Sequence, residues 1–383
     1  MPQDRLQADG AVTDRAYQDQ ILPHVSRTFA LTIPQLPAAL RTPVTNAYLL
    51  CRIADTIEDE PALSADETLV MLRRFVAVLN GREPAAPLAS ELAPRLSGPT
   101  LPAERELALN LARVVRVTAS LPAAQRAAIQ RCLEVMCSGM HQFQCTASLR
   151  GLPHATDLDD YCYYVAGVVG EMLTDLFCDY SGKIAQQRTG LDECAVSFAQ
   201  GLQMTNILKD VWEDRSRGAC WLPQEVFARH GVDVERIFPG QREPGFDAGM
   251  YELVGIAHAH LRNALTFTLL IPPEEAGIRR FCLWAIGLAV LTLQRIRQTP
   301  GFTRGAEVKV SHSAVAMTRL FTGIALRSDW MLRALFDRAA SGLPLASAPV
   351  VARAPQRVRR IAEAEPLAEF ASEVGRSEGR SVR

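Results

Sequence analysis

The sequence has no Cys-x-x-Cys pair, no Gly-x-Gly-x-x-Gly fingerprint, no run of twenty apolar residues and almost no net charge. Each absence excludes something. The nine cysteines are odd in number and lack ligand spacing, which argues against a zinc site or disulfide framework and for a reducing, cytoplasmic compartment. A formal net charge of −1 leaves no electrostatic footprint for nucleic acid. The longest apolar run, Phe281 to Leu293, is shorter than the ~20 residues that span a bilayer, so it reads as a buried core helix. The amino-terminal residues Met1 to Arg5 are polar and form no signal core. Aromatic residues make up only 7% of the chain, and no stretch alternates as a strand would. Leu and Ala dominate and favour helix, so the expected class is all-α, with long helices around a central apolar cavity.

The stretch from Gln203 to Asp214 stands out. Gln203, Asn206, Asp210 and Asp214 recur at i, i+3, i+7 and i+11, on one helix face. Met204, Ile207, Leu208 and Val211 lie between them and pack elsewhere. A second stretch repeats the pattern: Arg52, Asp55 and Asp59 follow one another on an apolar helix. One Asp-x-x-x-Asp alone is an ordinary solvated helix face. Two copies with matching polar neighbours point to a divalent cation. Hard carboxylate oxygens suit Mg²⁺, which completes its octahedron with waters and substrate phosphate.

In chain order, residues 1–16 read as a frayed terminus, and a helix beginning near Tyr17 is interrupted at Pro23. Ser26 and Arg27 offer a hydroxyl and a guanidinium to phosphate oxygens. The helix after Pro43 carries Tyr48, Arg52, Asp55 and Asp59. Ser64 and Glu67 form a capping box for the next helix. Residues 82–102 read as a loop, followed by helices at about 103–119 and 122–145. The helix from Leu158 to Tyr180, with Asp157 as its cap, contains Ala166, Gly167 and Gly170. Each interior glycine costs about 1 kcal/mol, so close approach by a helix or a ligand chain is expected there. The motif helix spans about 191–214. Arg215 and Arg217 then suggest a phosphate flap, and Pro223 opens a short helix. Helices at about 248–271, 274–298 and 311–339 complete the domain of residues 17–340. His258 and His260, two apart, cannot serve one metal from one helix face. Residues 341–383 read as a mobile tail with a short helix near 361–373.

Asp55, Asp59, Asp210 and Asp214, with Asn206 as a further oxygen ligand, would meet the charge of a diphosphate leaving group through Mg²⁺. Arg52 and Arg27 would add hydrogen bonds. The partner fragment would be an allylic cation, which needs an apolar wall. Tyr48, Ala166, Gly170 and the run from Phe281 to Leu293 could supply it.

These stretches together resemble the squalene/phytoene synthase family of head-to-head prenyl transferases. The resemblance covers roughly residues 20 to 325. It rests on Ser26-Arg27-Thr28-Phe29, Arg52 to Asp59, Tyr161 to Gly170, Gln203 to Asp214 and Trp221 to Glu225. It implies an isoprenoid synthase fold, Mg²⁺ at the two aspartate motifs and phosphate contacts at Ser26, Arg27 and Arg52. It assigns Tyr161 to a first half-reaction that joins two farnesyl diphosphates into presqualene diphosphate. NADPH would then reduce the rearranged cation to squalene. Alternatives within the resemblance are phytoene formation from C20 substrates, or an enzyme stopping at presqualene diphosphate or dehydrosqualene. A non-catalytic assembly factor of the same fold is the remote one. The Tyr161–Gly167 run and Phe281-Cys282 favour the squalene branch. One departure is Ala219, where the family carries arginine. A monomer is expected, with at most peripheral contact with a membrane for product release.

Overall fold

The computed structural model describes residues 2–26, 28–240 and 243–346, with side chains described from residue 13. Helix α1 is Pro2–Val25 and α2 is Thr28–Thr32, and a 3₁₀ turn at Ile33–Gln35 leads to α3, Ala38–Glu58. Then come α4 (Ala65–Leu79), α5 (Ala85–Arg95), α6 (Pro102–Leu109), α7 (Leu111–Ser120) and α8 (Ala123–Gln144). Helix α9 (Ala155–Cys162) runs through a π-helical turn, Tyr163–Gly167, into α10 (Val168–Tyr180). The rest is α11 (Gly182–Ala185), α12 (Arg188–Lys209), α13 (Val211–Ser216), α14 (Gln224–Ala228), α15 (Pro244–Leu270), α16 (Ala276–Gln298), α17 (His312–Ala325) and α18 (Asp329–Ala339). Among the described residues there is no strand, only an isolated bridge between Leu152 and Pro223. The all-α expectation holds.

The described residues form two compact units. One holds residues 2–26 and 42–145, the other residues 28–41 and 146–346. In the first unit, Leu49, Leu50 and Ile53 of α3, Leu72 and Phe75 of α4, and Ile129 and Leu133 of α8 are buried. A polar knot runs through this core. The buried Asn46 amide donates to Gln18 Oε1 and to the Val114 carbonyl, and Thr118 Oγ1 donates to Asn46 Oδ1. With these partners supplied, the polar groups are buried without leaving their hydrogen bonds unmade. The first helix begins before Tyr17. Helix α1 already runs through residues 13–16, and buried Asp14 takes Arg113 at 3.0 Å and Arg116 at 2.7 Å.

In the second unit, α12 is flanked closely on two sides. A Cβ on Gly170 of α10 would lie 2.0 Å from the Ala195 carbonyl oxygen. A Cβ on Gly201 would lie 3.0 Å from the Leu261 amide of α15. Both glycines are where two helix backbones nearly touch. Arg279 is fully buried at the start of α16. It donates to the carbonyls of Leu269, Ile271 and Leu326 and pairs with Asp329 at 2.7 Å, tying three helices together. Helix α16 is long and apolar enough to cross a membrane by length and composition, and 67% of its apolar window is buried in the protein, as in a core helix.

Several boundaries depart from the sequence reading. Helix α5 occupies the stretch read as a loop, because Leu88, Ala89, Leu92 and Ala93 bury one face and its prolines stand at the ends. Pro23 and Pro43 lie inside α1 and α3 without ending them. The helix expected at 103–119 breaks at Asn110, and the one at 311–339 breaks before the Ser328 cap. The helix expected from Leu158 starts earlier. His154 precedes its first turn, and Asp157 receives the His154 amide at 2.9 Å. Tyr161 to Tyr164 are all buried, more than one face of a uniform α-helix offers, and the chain passes through the π turn there. The Ser64–Glu67 capping box forms as read. Residues 347–383, including the expected helix near 361–373, lie outside the described residues.

Replacing Gly170 with Ala forces α10 from α12 by the length of a methyl against a backbone oxygen. Urea unfolding should show a loss of about 2–3 kcal/mol. An unchanged midpoint would mean the two backbones are not in this contact.

Candidate active site

In the first unit, Tyr48, Arg52, Asp55 and Asp59 follow at near one-turn spacing along α3. Tyr48 Oη donates to the Val25 carbonyl at 3.0 Å and accepts from Arg52 Nη2 at 3.1 Å. Arg52 Nη1 lies 3.7 Å from Asp55 and 3.8 Å from Glu104. The same guanidinium thus answers two carboxylates, while its Nε is buried with no hydrogen-bond partner among the described residues. Burial pushes the Asp55 carboxyl up to about 6; Arg52 opposes that rise, and Asp59 and Glu104 add to it. Asp59 is exposed just past the last turn, its amide bonded to the Asp55 carbonyl at 2.8 Å. Glu60 is different. It is buried and accepts from the Ala62 and Ser97 amides and Thr100 Oγ1, which anchors the loop after the motif.

In the second unit the expected single motif helix is broken. Helix α12 ends at Lys209 and α13 begins at Val211, with Asp210 (φ −99°, ψ 14°) at the joint. The i to i+4 hydrogen bonds still run through it. Asp210 donates its amide to the Asn206 carbonyl at 2.8 Å, and Asp214 donates to the Asp210 carbonyl at 2.9 Å. The acidic face therefore keeps its register despite the break. Lys209 Nζ sits 2.7 Å from Asp210, and Arg217 sits 2.6 Å from the mostly buried Asp214. Behind Asp210, a Cβ on Gly305 would stand 2.7 Å from its Oδ1, and the Gly305 amide donates to Glu213. Gln203 is half-buried and Asn206 exposed on this face. Arg215 is not a phosphate ligand. Its guanidinium donates to the carbonyls of Leu149, Val234, Glu235 and Ile237 at 3.0–3.1 Å, which uses its fork to hold loops together. Of the expected flap only Arg217 faces the acids.

Tyr161 is buried and stacks on Trp221 with ring centroids 4.1 Å apart. The segment from Trp221 to Glu225 is a clamp on the start of α9. Leu222 and Gln224 bridge to Leu152, and the Glu225 carboxylate takes the Ala155 amide and His154 Nδ1. Gly151 (φ +79°) makes this possible, since a Cβ there would meet the Leu222 oxygen at 2.3 Å. Phe29 lies 6.4 Å from Phe281, and Ala166 is half-buried in the π turn. Gly170 faces α12, so the close approach it permits is that of a helix. Ser26 follows the end of α1, its amide on the Leu22 carbonyl. Arg27 lies outside the described residues. His258 and His260 part as expected, one bonded to the Pro344 carbonyl and the other to Ser197.

Comparison with known proteins places these features in a family. The model of the squalene/phytoene synthase family matches residues 22–314. The chain belongs to that family. A squalene synthase from Phoma sp. is 29% identical over 279 residues, covering 72% of this chain and 63% of the relative. The chain spans about three-fifths of the length of the curated relatives it matches. A solved structure of TcSQS with the ligand BPH1237 covers 92% of this chain and all of its own, with a TM-score of 0.68 and 22% identity. A dehydrosqualene synthase in complex with ligand covers 84% and 99%, with a TM-score of 0.58 and 24% identity. At these identities the two structures establish the fold, the all-α isoprenoid synthase fold.

For a squalene/phytoene synthase, the residues present fit Mg²⁺. The donors are hard oxygens, and Mg²⁺ is held by one or two carboxylates with waters and phosphate. Asp59 stands just past the carboxyl end of α3, where the dipole disfavours an anion by about 0.3–1 kcal/mol and a cation removes that cost. Among the described residues no three His, Cys, Asp or Glu side chains gather into a ready metal cluster. Glu104, Lys209 and Gly305 escaped the sequence reading. Glu104 and Gly305 come from other elements and only folding brings them to the motifs, while Lys209 lies inside the motif but off its polar periodicity.

Asp55 titrates above the ordinary carboxylate value of 3.8. Its protonated form is therefore favoured by folding: its contribution is full below that value and lost as the pH rises through about 6. In metal-free protein, Asp55→Asn should raise the Tm well above pH 6 and leave it unchanged below about pH 4. Adding Mg²⁺ should then raise the wild-type Tm more than the variant's. A variant less stable than wild type at high pH would contradict this electrostatic account.

Proposed function

We propose that this chain is a Mg²⁺-dependent transferase that joins two farnesyl diphosphates head to head into presqualene diphosphate and, with NADPH, converts it to squalene. The observation that carries the reading is the under-compensated acidic face of α3. Arg52 shares itself between Asp55 and Glu104 and keeps one buried N–H unpartnered beside it. The same residue types recur at the α12–α13 joint. The family and the squalene synthases among its relatives support the substrate class.

In this reading Asp55, Asp59, Asp210 and Asp214, with Asn206, hold Mg²⁺, which would supply Lewis-acid neutralisation of the departing diphosphate. The chain's own residues do the rest. Arg52 presents its unpartnered Nε to a phosphate oxygen, a charge-assisted bond. Ser26 and Arg27 add contacts there, and Arg217 turns from Asp214 toward phosphate in place of the arginine missing at Ala219. Tyr161, its ring held by Trp221, presents a hydroxyl to the reacting carbons of the first half-reaction. Phe29, Phe281 and Ala166 line the apolar space that keeps water from the cation. NADPH is assigned no residues. Stopping at dehydrosqualene is a second reading, open because no residue here is assigned to NADPH.

Asp55→Ala or Asp210→Ala should lower turnover by at least about a thousandfold, with circular dichroism unchanged. Near-normal activity in either would remove the metal assignment. Tyr161→Phe should lower kcat more than it raises KM; the reverse pattern would deny the hydroxyl a chemical role. Product analysis by mass from farnesyl diphosphate and Mg²⁺ decides the reaction. Squalene formed only with NADPH supports the first reading, and dehydrosqualene under both conditions the second.

A further inference from the structure

Helix α17 is built inside out. Its small and hydroxylated residues face α16: the Thr318 methyl would meet a Cβ on Gly287 at 2.6 Å, and Thr322 Oγ1 accepts from Trp284 Nε1 at 3.2 Å. Both threonine hydroxyls also donate within the helix, to the carbonyls of Ala314 and Thr318. The large apolar residues point outward. Met317, Leu320, Phe321 and Ile324 recur at i, i+3, i+4 and i+7, one stripe, and are 46%, 55%, 44% and 66% exposed. Trp330, in the first turn of α18, is 76% exposed, the most open of the large apolar side chains described. On the other side of the helix, toward α16, Val315 and Arg319 line a shallow groove with Leu31 and Leu288, and Arg319 stacks over the Trp284 ring. A stripe of this kind marks a covered surface, since scattered apolar residues do not align.

The charges around it say what covers it. From Val308 to Ser328 the chain has no Asp or Glu, but carries Lys309, Arg319 and Arg327. A helix without acids, with Leu, Phe and Ile on its free side and exposed Lys309 and Arg327 beyond its two ends, has the character of an interfacial helix. We propose that α17 docks this protein on an anionic lipid bilayer, its stripe among the acyl chains and the exposed Lys309 and Arg327 that flank it at the headgroups. A second copy of the chain would supply apolar area but no matching negative charge from this stretch.

Flotation of the full-length protein with phosphatidylcholine vesicles, with and without phosphatidylglycerol, tests this. Wild type should float with the anionic vesicles, and added salt should weaken the binding. The double variant Leu320→Ser with Ile324→Ser, both exposed, should keep its circular dichroism and lose affinity by roughly tenfold or more. Arg327→Glu should lose binding to anionic vesicles alone. Failure of wild type to float with either vesicle would overturn the proposal, as would undiminished binding of the double variant. A dimer in light scattering that the double variant dissolves, without vesicle binding, would assign the stripe to a second copy instead.

Discussion

One backbone contact sets the second unit. The Ala195 carbonyl occupies the space where any residue but glycine at position 170 would place its Cβ. That contact brings α10 against α12 at backbone distance, and Gly201 brings α12 against α15 on another side. A helix held in this way cannot rotate about its axis. The face with Gln203, Asn206 and Asp210 is therefore aimed by packing alone. The small-residue run after Tyr161 serves this same purpose, which accounts for glycines that a free-standing helix would not tolerate.

In each unit the acids are placed where they are least comfortable. Asp59 sits just past the carboxyl end of α3, Asp210 at the joint between α12 and α13, and burial pushes the Asp55 carboxyl up to about 6. Stability alone would not favour these positions. Three of the four carboxylates have a basic neighbour that offsets part of the cost: Arg52 for Asp55, Lys209 for Asp210, Arg217 for Asp214. Such charge pairs stand ready to exchange partners when a cation and an anionic ligand arrive together. The chemistry proposed for a squalene synthase needs that arrangement, with positive charge brought to a diphosphate and apolar walls for what it leaves behind.

Much of this was legible in advance. Composition and periodicity identified the helical class, because a leucine- and alanine-rich chain without alternation has few other ways to bury itself. The aspartate faces were legible because helical spacing survives local breaks: even at the joint at Asp210 the i to i+4 bonds persist. Other features were not. Helix α5 hid among prolines and alanines, and the π turn hid in an ordinary helical pattern. Arg215 looked like a phosphate ligand because sequence shows its charge but not the four carbonyls that occupy it.

The sequence by itself determined the helical class, the family and the residues that carry hard oxygen donors, since residue type and spacing along one helix are local properties. Tertiary structure alone decided which charges answer which. Glu104 reaches Arg52 from another helix, Gly305 closes behind Asp210 from a distant loop, and Trp221 pins Tyr161 from sixty residues away in the chain. It also decided that α17 turns its greasy side outward, because which face of a helix is covered depends on its neighbours and not on its own pattern.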